Sequence, residues 1–328
     1  MFLNKVRNRE SGILLYGISP PKAQSTPEKL QEIAAKSLGI LRTLDIDGLV
    51  VYDLQDEAER TTEERPFPFQ SCVDPHHYSS KYLHEISIPK IIYRPAGKFS
   101  KEELTQWLSD LSKQQMYPVF VGLPSPDSVP KTTLTEAYKI WRDNHQHHSA
   151  IGAVTIPERH AVLKDEDVRM LDKMNCGVSY FISQCIFNVD YTRKMLDDLK
   201  ASCIRNKRDV PTVIFTLTLC GSAKTLAFLE WLGIHIPGDV KEQLQTSQEP
   251  LRLSEQIATK VAQDLTNYCA KNEIPFGFNI ESVSTRKEEI EASLNLLKTV
   301  RAMLNAVTPD AKTSLGSSSQ REWSGSSR

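Results

Sequence analysis

Short apolar runs alternate with longer amphipathic ones along almost the whole chain. Eight of the short runs are rich in Val, Ile, Phe and Tyr and are bounded by turn residues: 13–19 (ILLYGIS), 47–53 (DGLVVYD), 89–95 (PKIIYRP), 117–123 (YPVFVGL), 150–156 (AIGAVTI), 179–187 (SYFISQCIF), 212–218 (TVIFTLT) and 275–282 (PFGFNIES). Runs of this length and composition predict β-strands. Because they are apolar on both faces, they predict parallel strands covered by helices. Between them the apolar residues recur every three or four positions. That spacing predicts helices over 27–44, 101–114, 134–144, 165–174, 191–205, 222–232, 238–245, 253–271 and 285–305. Thr26 before Pro27, and Ser100 before Lys101, supply N-cap chemistry.

Eight strands, each followed by a helix, is the count for a closed (β/α)8 TIM barrel, an α/β fold forming one domain over 1–307. A doubly wound open sheet is the alternative. It usually has fewer strands and a glycine-rich first turn, whereas the first turn here is SPPK, 19–22. The Ser- and Gly-rich stretch 308–328 predicts a disordered tail, with Trp323 an isolated residue within it or part of a short docking motif.

The 328 residues are 40% hydrophobic and 25% charged, with 40 Lys and Arg against 41 Asp and Glu. This is the composition of a soluble globular protein. Near-neutrality gives no reason to expect nucleic acid or an anionic membrane as partner. No run is apolar enough to span a bilayer, and the N-terminus MFLNKVRNRESG has no apolar core of a secretory signal. Six cysteines without a CxxC pair read as reduced thiols, so a cytoplasmic protein is expected. Oligomeric state is left open by the sequence, a homo-oligomer included.

In a barrel, chemistry collects at the C-terminal ends of the strands. Residues there are Ser19 and Lys22, Asp53, Gln55, Asp56 and Glu57, Tyr93 and Arg94, Pro124 to Asp127, Glu158 to His160, Gln184 and Asn188, Thr216 and Thr218, and Asn279 with Glu281. Strand alternation places Gln184 on one face with Ile182 and Ile186, and an amide inside a barrel needs a partner. A ligand with amide-like edges would serve, as would a neighbouring side chain or water. Glu281 follows Ile280 near the end of the last strand. Desolvation there should raise its pKa and suit it to general acid work, unless Arg94, Lys22 or a loop cation neutralises it. His160 is a proton-transfer or ligand-binding imidazole, or a surface histidine. Asp53 is a substrate contact or a loop cap. The clusters His76–His77 and His145, His147, His148 read as solvated helix ends rather than metal sites, and no metal is expected. HExxH, P-loop and GxSxG motifs are absent from the sequence.

Several segments, taken in order, resemble the methylenetetrahydrofolate reductase family from about residue 13 to 304. YGISPPK (16–22) resembles its first-strand FEFFPP element, VVYD with EAERT (50–61) its second-strand end, and IPERH (156–160) its YPExH. KMNCGVSYFISQCIFNVD (173–190) resembles KxDAGAxFxITQxFFDxD. LGIHIPGDV (232–240) resembles the segment after the seventh strand, and FGFNIES (276–282) the last-strand FHFYTLN. The resemblance implies a (β/α)8 barrel that reduces 5,10-methylenetetrahydrofolate to 5-methyltetrahydrofolate with NADH or NADPH, in most members through FAD. It implies that Gln184 contacts the folate substrate and that His160 and Lys173 lie at the cofactor. By their places at the strand ends, Asp53 and Asn279 are expected as further substrate contacts and Glu158 as a further cofactor contact.

The departures are specific. The family's first-strand catalytic glutamate falls on Gly17. The flavin-binding RGD loop is VGL, 121–123. Polar contacts fall on Val51 and Ile156. These losses speak against tight FAD binding in the family's manner. In a closed barrel the eighth strand lies beside the first, so Glu281 is expected to occupy the space of the missing glutamate and act as a relocated acid. A non-reducing folate- or pterin-binding protein on the same barrel is the alternative.

Overall fold

The computed structural model describes residues 2–56, 63–123, 129–144 and 149–307. The expectations for Glu57 and EAERT, for 124–127, for His145, His147 and His148, and for the tail fall wholly or partly outside these residues.

Eight parallel strands close into a barrel in sequence order. They are β1 (Ile13–Ile18), β2 (Gly48–Val51), β3 (Lys90–Pro95), β4 (Met116–Val121), β5 (Gly152–Thr155), β6 (Tyr180–Cys185), β7 (Thr212–Thr218) and β8 (Phe276–Glu281). Each lies within the run that the hydrophobic pattern marks, except that β4 begins one residue earlier, at Met116. The seam closes with Gly17 paired to Glu281, while Thr218 pairs with Glu281 from the other side.

The helices among the described residues begin with α1 (Phe2–Asn8), α2 (Pro27–Leu41), α3 (Pro75–Tyr82), α4 (Lys101–Lys113) and α5 (Leu134–Asn144); all but α1, α3 and one after β5 follow the amphipathic segments. After β5 come α6 (Pro157–Leu163) and α7 (Glu166–Asn175), and after β6 comes α8 (Val189–Arg205). Then come α9 (Ala223–Trp231), α10 (Gly238–Thr246), α11 (Pro250–Lys271) and α12 (Lys287–Val307). Local chemistry explains the starts. The Thr26 side chain accepts from the Lys29 backbone N–H with Pro27 behind it, and Ser100 and Glu103 form a reciprocal capping box.

Two apolar compartments result. Leu14, Phe120, Phe181, Phe215 and Phe278 face outward into the helical layer, while Ile13, Leu15, Val50, Ile91, Val119, Ile182 and Ile214 fill the barrel. The filling continues downward through Tyr117 and Tyr180. Both meet the ring of Phe2 edge-on, with centroids 5.4 and 5.2 Å away. Helix α1 thus plugs the N-terminal end of the barrel. Its spacing of Phe2, Leu3 and Val6 is short, and the charges around it hide it in the sequence. All six cysteines are free thiols, four of them buried. No helix among the described residues is long and apolar enough to cross a membrane.

Phe2 is fully buried. We expect Phe2→Ala to lower the unfolding free energy by about 3–5 kcal/mol through the cavity it leaves. Denaturant unfolding measures this, and a loss below about 1 kcal/mol would mean that α1 is not a structural plug.

Candidate functional site at the barrel mouth

The polar mouth is built on the seam between β8 and β1. Gly17 has no side chain, and a Cβ placed there would stand 2.9 Å from the Tyr52 ring and 3.1 Å from the Glu281 Cβ. The bare backbone of β1 therefore makes room for two side chains from its neighbours. Glu281 accepts a hydrogen bond from the Cys185 thiol at 3.1 Å and another from the Tyr52 hydroxyl. Tyr52 in turn accepts from the Asn279 amide at 2.8 Å, and that amide also reaches Thr216 Oγ1 at 3.3 Å. The Tyr52 ring meets Tyr93 edge-on at 4.8 Å. Every recorded partner of Glu281 is neutral, so enclosure by protein atoms pushes its carboxyl pKa up. Burial, followed by the charge of Glu281, raises the Tyr52 hydroxyl and the Cys185 thiol.

A strap from the β2–α3 connection crosses this quadrant. Cys72 pairs with Lys22 in an antiparallel bridge, flanked by backbone hydrogen bonds from Ala23 to Ser71 and from Val73 to Pro21. Farther back, the Arg65 guanidinium lies over the rings of Phe69, Phe228 and Trp231, and the Trp231 indole donates to the Glu63 carbonyl at 3.1 Å. Residues 63–73 thus run from α9, which follows β7, to the loop after β1.

The other expected residues take varied positions. Alternation along β6 fails because the strand bulges between Ile182 and Cys185. The Ser183 hydroxyl fills the irregularity, accepting from Thr216 N–H at 2.9 Å and donating to the Gln184 carbonyl at 2.7 Å. The bulge turns Cys185 onto Glu281. It leaves Gln184 half-buried, its amide donating to the Leu232 carbonyl at 3.2 Å. Asn279 precedes Glu281 by two residues on the same inward face, about 7 Å deeper. It is fully buried, and its carbonyl oxygen has no partner.

Asp53 is half-buried beside Gln55, which donates to it at 2.6 Å. Burial outweighs the opposing effect of Arg94 and raises its carboxyl to about 6. Arg94 itself is bound to Asp74 at 2.6 Å and sandwiched between Phe99 and Trp107.

IPERH is not a loop: it opens α6, with Pro157 at its first position. From this helix His160 points into the helical layer, where its Nε2 lies 2.9 Å from Asp198 and its Nδ1 lies 3.8 Å from Asp167. Arg159 pairs with the buried Glu166. Lys173, on α7, donates to the Val154 carbonyl at 2.7 Å beside the Phe181 ring, and burial lowers its ammonium pKa to about 8. The structure brings neither His160 nor Lys173 together with Glu281. Glu158 differs from both. It is buried, neither carboxylate oxygen has a hydrogen-bond partner, and desolvation raises its pKa to about 7. Its charge is felt by Cys185, as is that of Glu281. Tyr52, Cys185 and the strap are the parts of the site that sequence reading missed. Tyr52 was legible as the residue after an apolar strand, two places along from inward-facing Val50. Among the described residues no group of His, Cys, Asp and Glu is arranged to hold a metal ion.

The mouth is that of a barrel protein with a buried acid held by neutral hydrogen-bond donors. The methylenetetrahydrofolate reductase family model matches residues 132–279. A solved structure described as an uncharacterized protein from Clostridium thermocellum that binds two copies of 5-methyl-5,6,7,8-tetrahydrofolic acid is 41% identical. It has a TM-score of 0.82, covering 92% of this chain and 100% of that one. The chain belongs to the methylenetetrahydrofolate reductase family. Two crystal forms of 2,3-dimethylmalate lyase, a PEP mutase/isocitrate lyase superfamily member, also match. They are 10% and 12% identical with TM-scores of 0.43 and 0.45, covering 92% and 95% of this chain and 96% and 94% of theirs; these values carry no functional argument. No curated protein matches the chain significantly.

The raised carboxyl of Glu158 has a stability consequence. Between its ordinary pKa of 4.5 and its folded value of about 7 the folded chain holds the extra proton, so stability falls as pH rises through that window. We expect Glu158→Gln to match the parent at pH 4 and to exceed it by about 3 kcal/mol at pH 8. Unfolding curves at the two pH values test this, and equal stability at both would mean that the carboxylate is not desolvated.

Proposed function

We propose that the chain binds a reduced folate at the mouth and reduces 5,10-methylenetetrahydrofolate to 5-methyltetrahydrofolate with NADH or NADPH, Glu281 being the proton donor. The observation that carries this reading is the meeting of Glu281 with Gly17. The family's acid is missing from β1, and the Cβ of Glu281 on β8, with the Tyr52 ring, stands where that side chain would begin. The Clostridium relative, described as binding 5-methyltetrahydrofolate, supports the ligand class.

In this reaction Glu281 gives its proton to the folate N10 as the bond from N10 to the bridging methylene carbon breaks. The methylene is left as an iminium on N5. Hydride from the reduced nicotinamide adds to that carbon, giving the N5-methyl product and the oxidised nicotinamide, and Glu281 regains a proton from solvent. Burial raises this carboxyl, the direction that suits a proton donor. Tyr52 and Cys185 fix its direction, and Asn279 fixes Tyr52. We therefore read Asn279 as a positioning residue. Gln184 and Asp53 remain the expected folate contacts on the rim.

The residues present do not fit a flavin held in the family's manner. His160 and Lys173 are engaged by Asp198 and by the Val154 carbonyl. Leu123, in place of the RGD aspartate, packs so closely on Gly97 that a Cβ there would lie 2.6 Å from it. No step is drawn through flavin, and hydride passes directly from nicotinamide to folate. A cytoplasmic setting belongs to the same reading, supported by the six free thiols. Binding without turnover is the second reading, favoured by the relative's description in terms of binding.

With flavin excluded, we expect product from methylenetetrahydrofolate and NADH or NADPH. We expect Glu281→Gln to lower kcat by about 10²–10⁴ with affinity for 5-methyltetrahydrofolate kept. Full activity in that variant would remove Glu281 from the chemistry. Folate binding by the parent chain without turnover would establish the second reading.

A further inference from the structure

We propose that Glu158 reads the pterin ring of the ligand, its carboxylate accepting the two parallel N–H donors of a 2-amino-4-oxopyrimidine edge. The proposal rests on the reduced-folate reading above and adds the group that sets ligand class.

Three observations carry it. First, Glu158 is only 9% exposed, and neither of its oxygens has a hydrogen-bond partner in another residue. A buried carboxylate without donors is costly, so such groups are almost always paired. The basic side chains of its own helix nearest to it are engaged elsewhere: Arg159 with Glu166, and His160 with Asp198. On α7, Lys173 is turned to the Val154 carbonyl.

Second, Glu158 occupies the first turn of α6, directly after β5, on the functional end of the barrel. Strand β5 pairs with β6, whose Cys185 donates to Glu281, so the helix that carries the reader follows the strand next to the one that holds the acid.

Third, the other buried carboxylate at the mouth is already engaged. Glu281 takes hydrogen bonds from Tyr52 and Cys185, and Tyr52 takes one from Asn279. Asn279 keeps a single unpartnered carbonyl oxygen, whereas Glu158 offers two oxygens side by side. The N3–H and 2-amino groups of a pterin point the same way from one ring edge, the arrangement a carboxylate receives in a bidentate pair. A carboxyl whose protonation is balanced near neutral pH becomes fully ionised when such donors arrive.

The test measures Kd for 5-methyltetrahydrofolate and for its 2-desamino-2-methyl analogue, with the parent chain and with Glu158→Gln. A glutamine keeps one acceptor but turns an N–H toward one of the ligand's donors. We expect the parent to prefer the amino compound by roughly ten- to hundredfold, as for hydrogen bonds to a charged group. We expect the variant to lose that preference while still unfolding cooperatively. Equal binding of both ligands by the parent, or full preference in the variant, overturns the assignment and leaves the folate reading standing. A parent chain that binds neither ligand overturns the folate reading, and this assignment with it.

Discussion

One volume at the seam of the barrel admits a single carboxyl side chain. Gly17, Tyr52 and Glu281 converge there so closely that even a methyl group on β1 would be in contact with both neighbours. The constraint is steric before it is chemical. With β1 bare, the carboxyl comes from β8, and its directions are then set by the donors within reach, Tyr52 from β2 and Cys185 from β6. Three strands spread around the barrel are thereby tied to one acid. Neutral donors orient the carboxyl without forcing it to ionise, unlike a lysine or arginine in the same place.

The same principle separates the two halves of the mouth. On the β2–β3 side, carboxylates have cations nearby: Asp74 binds Arg94, and Asp53 feels both Arg94 and Lys98. On the β5–β8 side, Glu158 and Glu281 have none among their recorded partners, and burial dominates both.

Much of the architecture was legible because apolar runs and capping residues are local signals. All eight strands, and the helices opened by Thr26 and Ser100, follow from residues only a few positions apart. Glu281 was legible too, since a carboxylate that interrupts an apolar strand is conspicuous and barrel closure names its neighbour. What escaped depends on geometry that the sequence does not display. The β6 bulge reverses the faces of Gln184 and Cys185, and its only sign is a serine whose hydroxyl can substitute for a backbone group. His160 was visible as a histidine at a strand end, but its direction was fixed by α6 being helical from Pro157 onward. One hundred degrees per residue sends it to α8, while Glu158 stays beside the mouth. The α1 plug escaped because its apolar residues number too few to show a period.

That plug has a kinetic meaning. With Phe2 wedged between Tyr117 and Tyr180, the described residues close the N-terminal end of the barrel, so the ligands of the proposed reaction enter and leave by the doorway at the C-terminal mouth. A protein that parks the hydride on a resident carrier can receive its two reactants in turn through such a doorway. One that transfers hydride directly must hold both at once in a ternary complex, stacked in a single opening. For the proposed reaction, the reactant lying deeper then cannot depart until the one above it has gone, and the order of release is written into the closed end of the barrel.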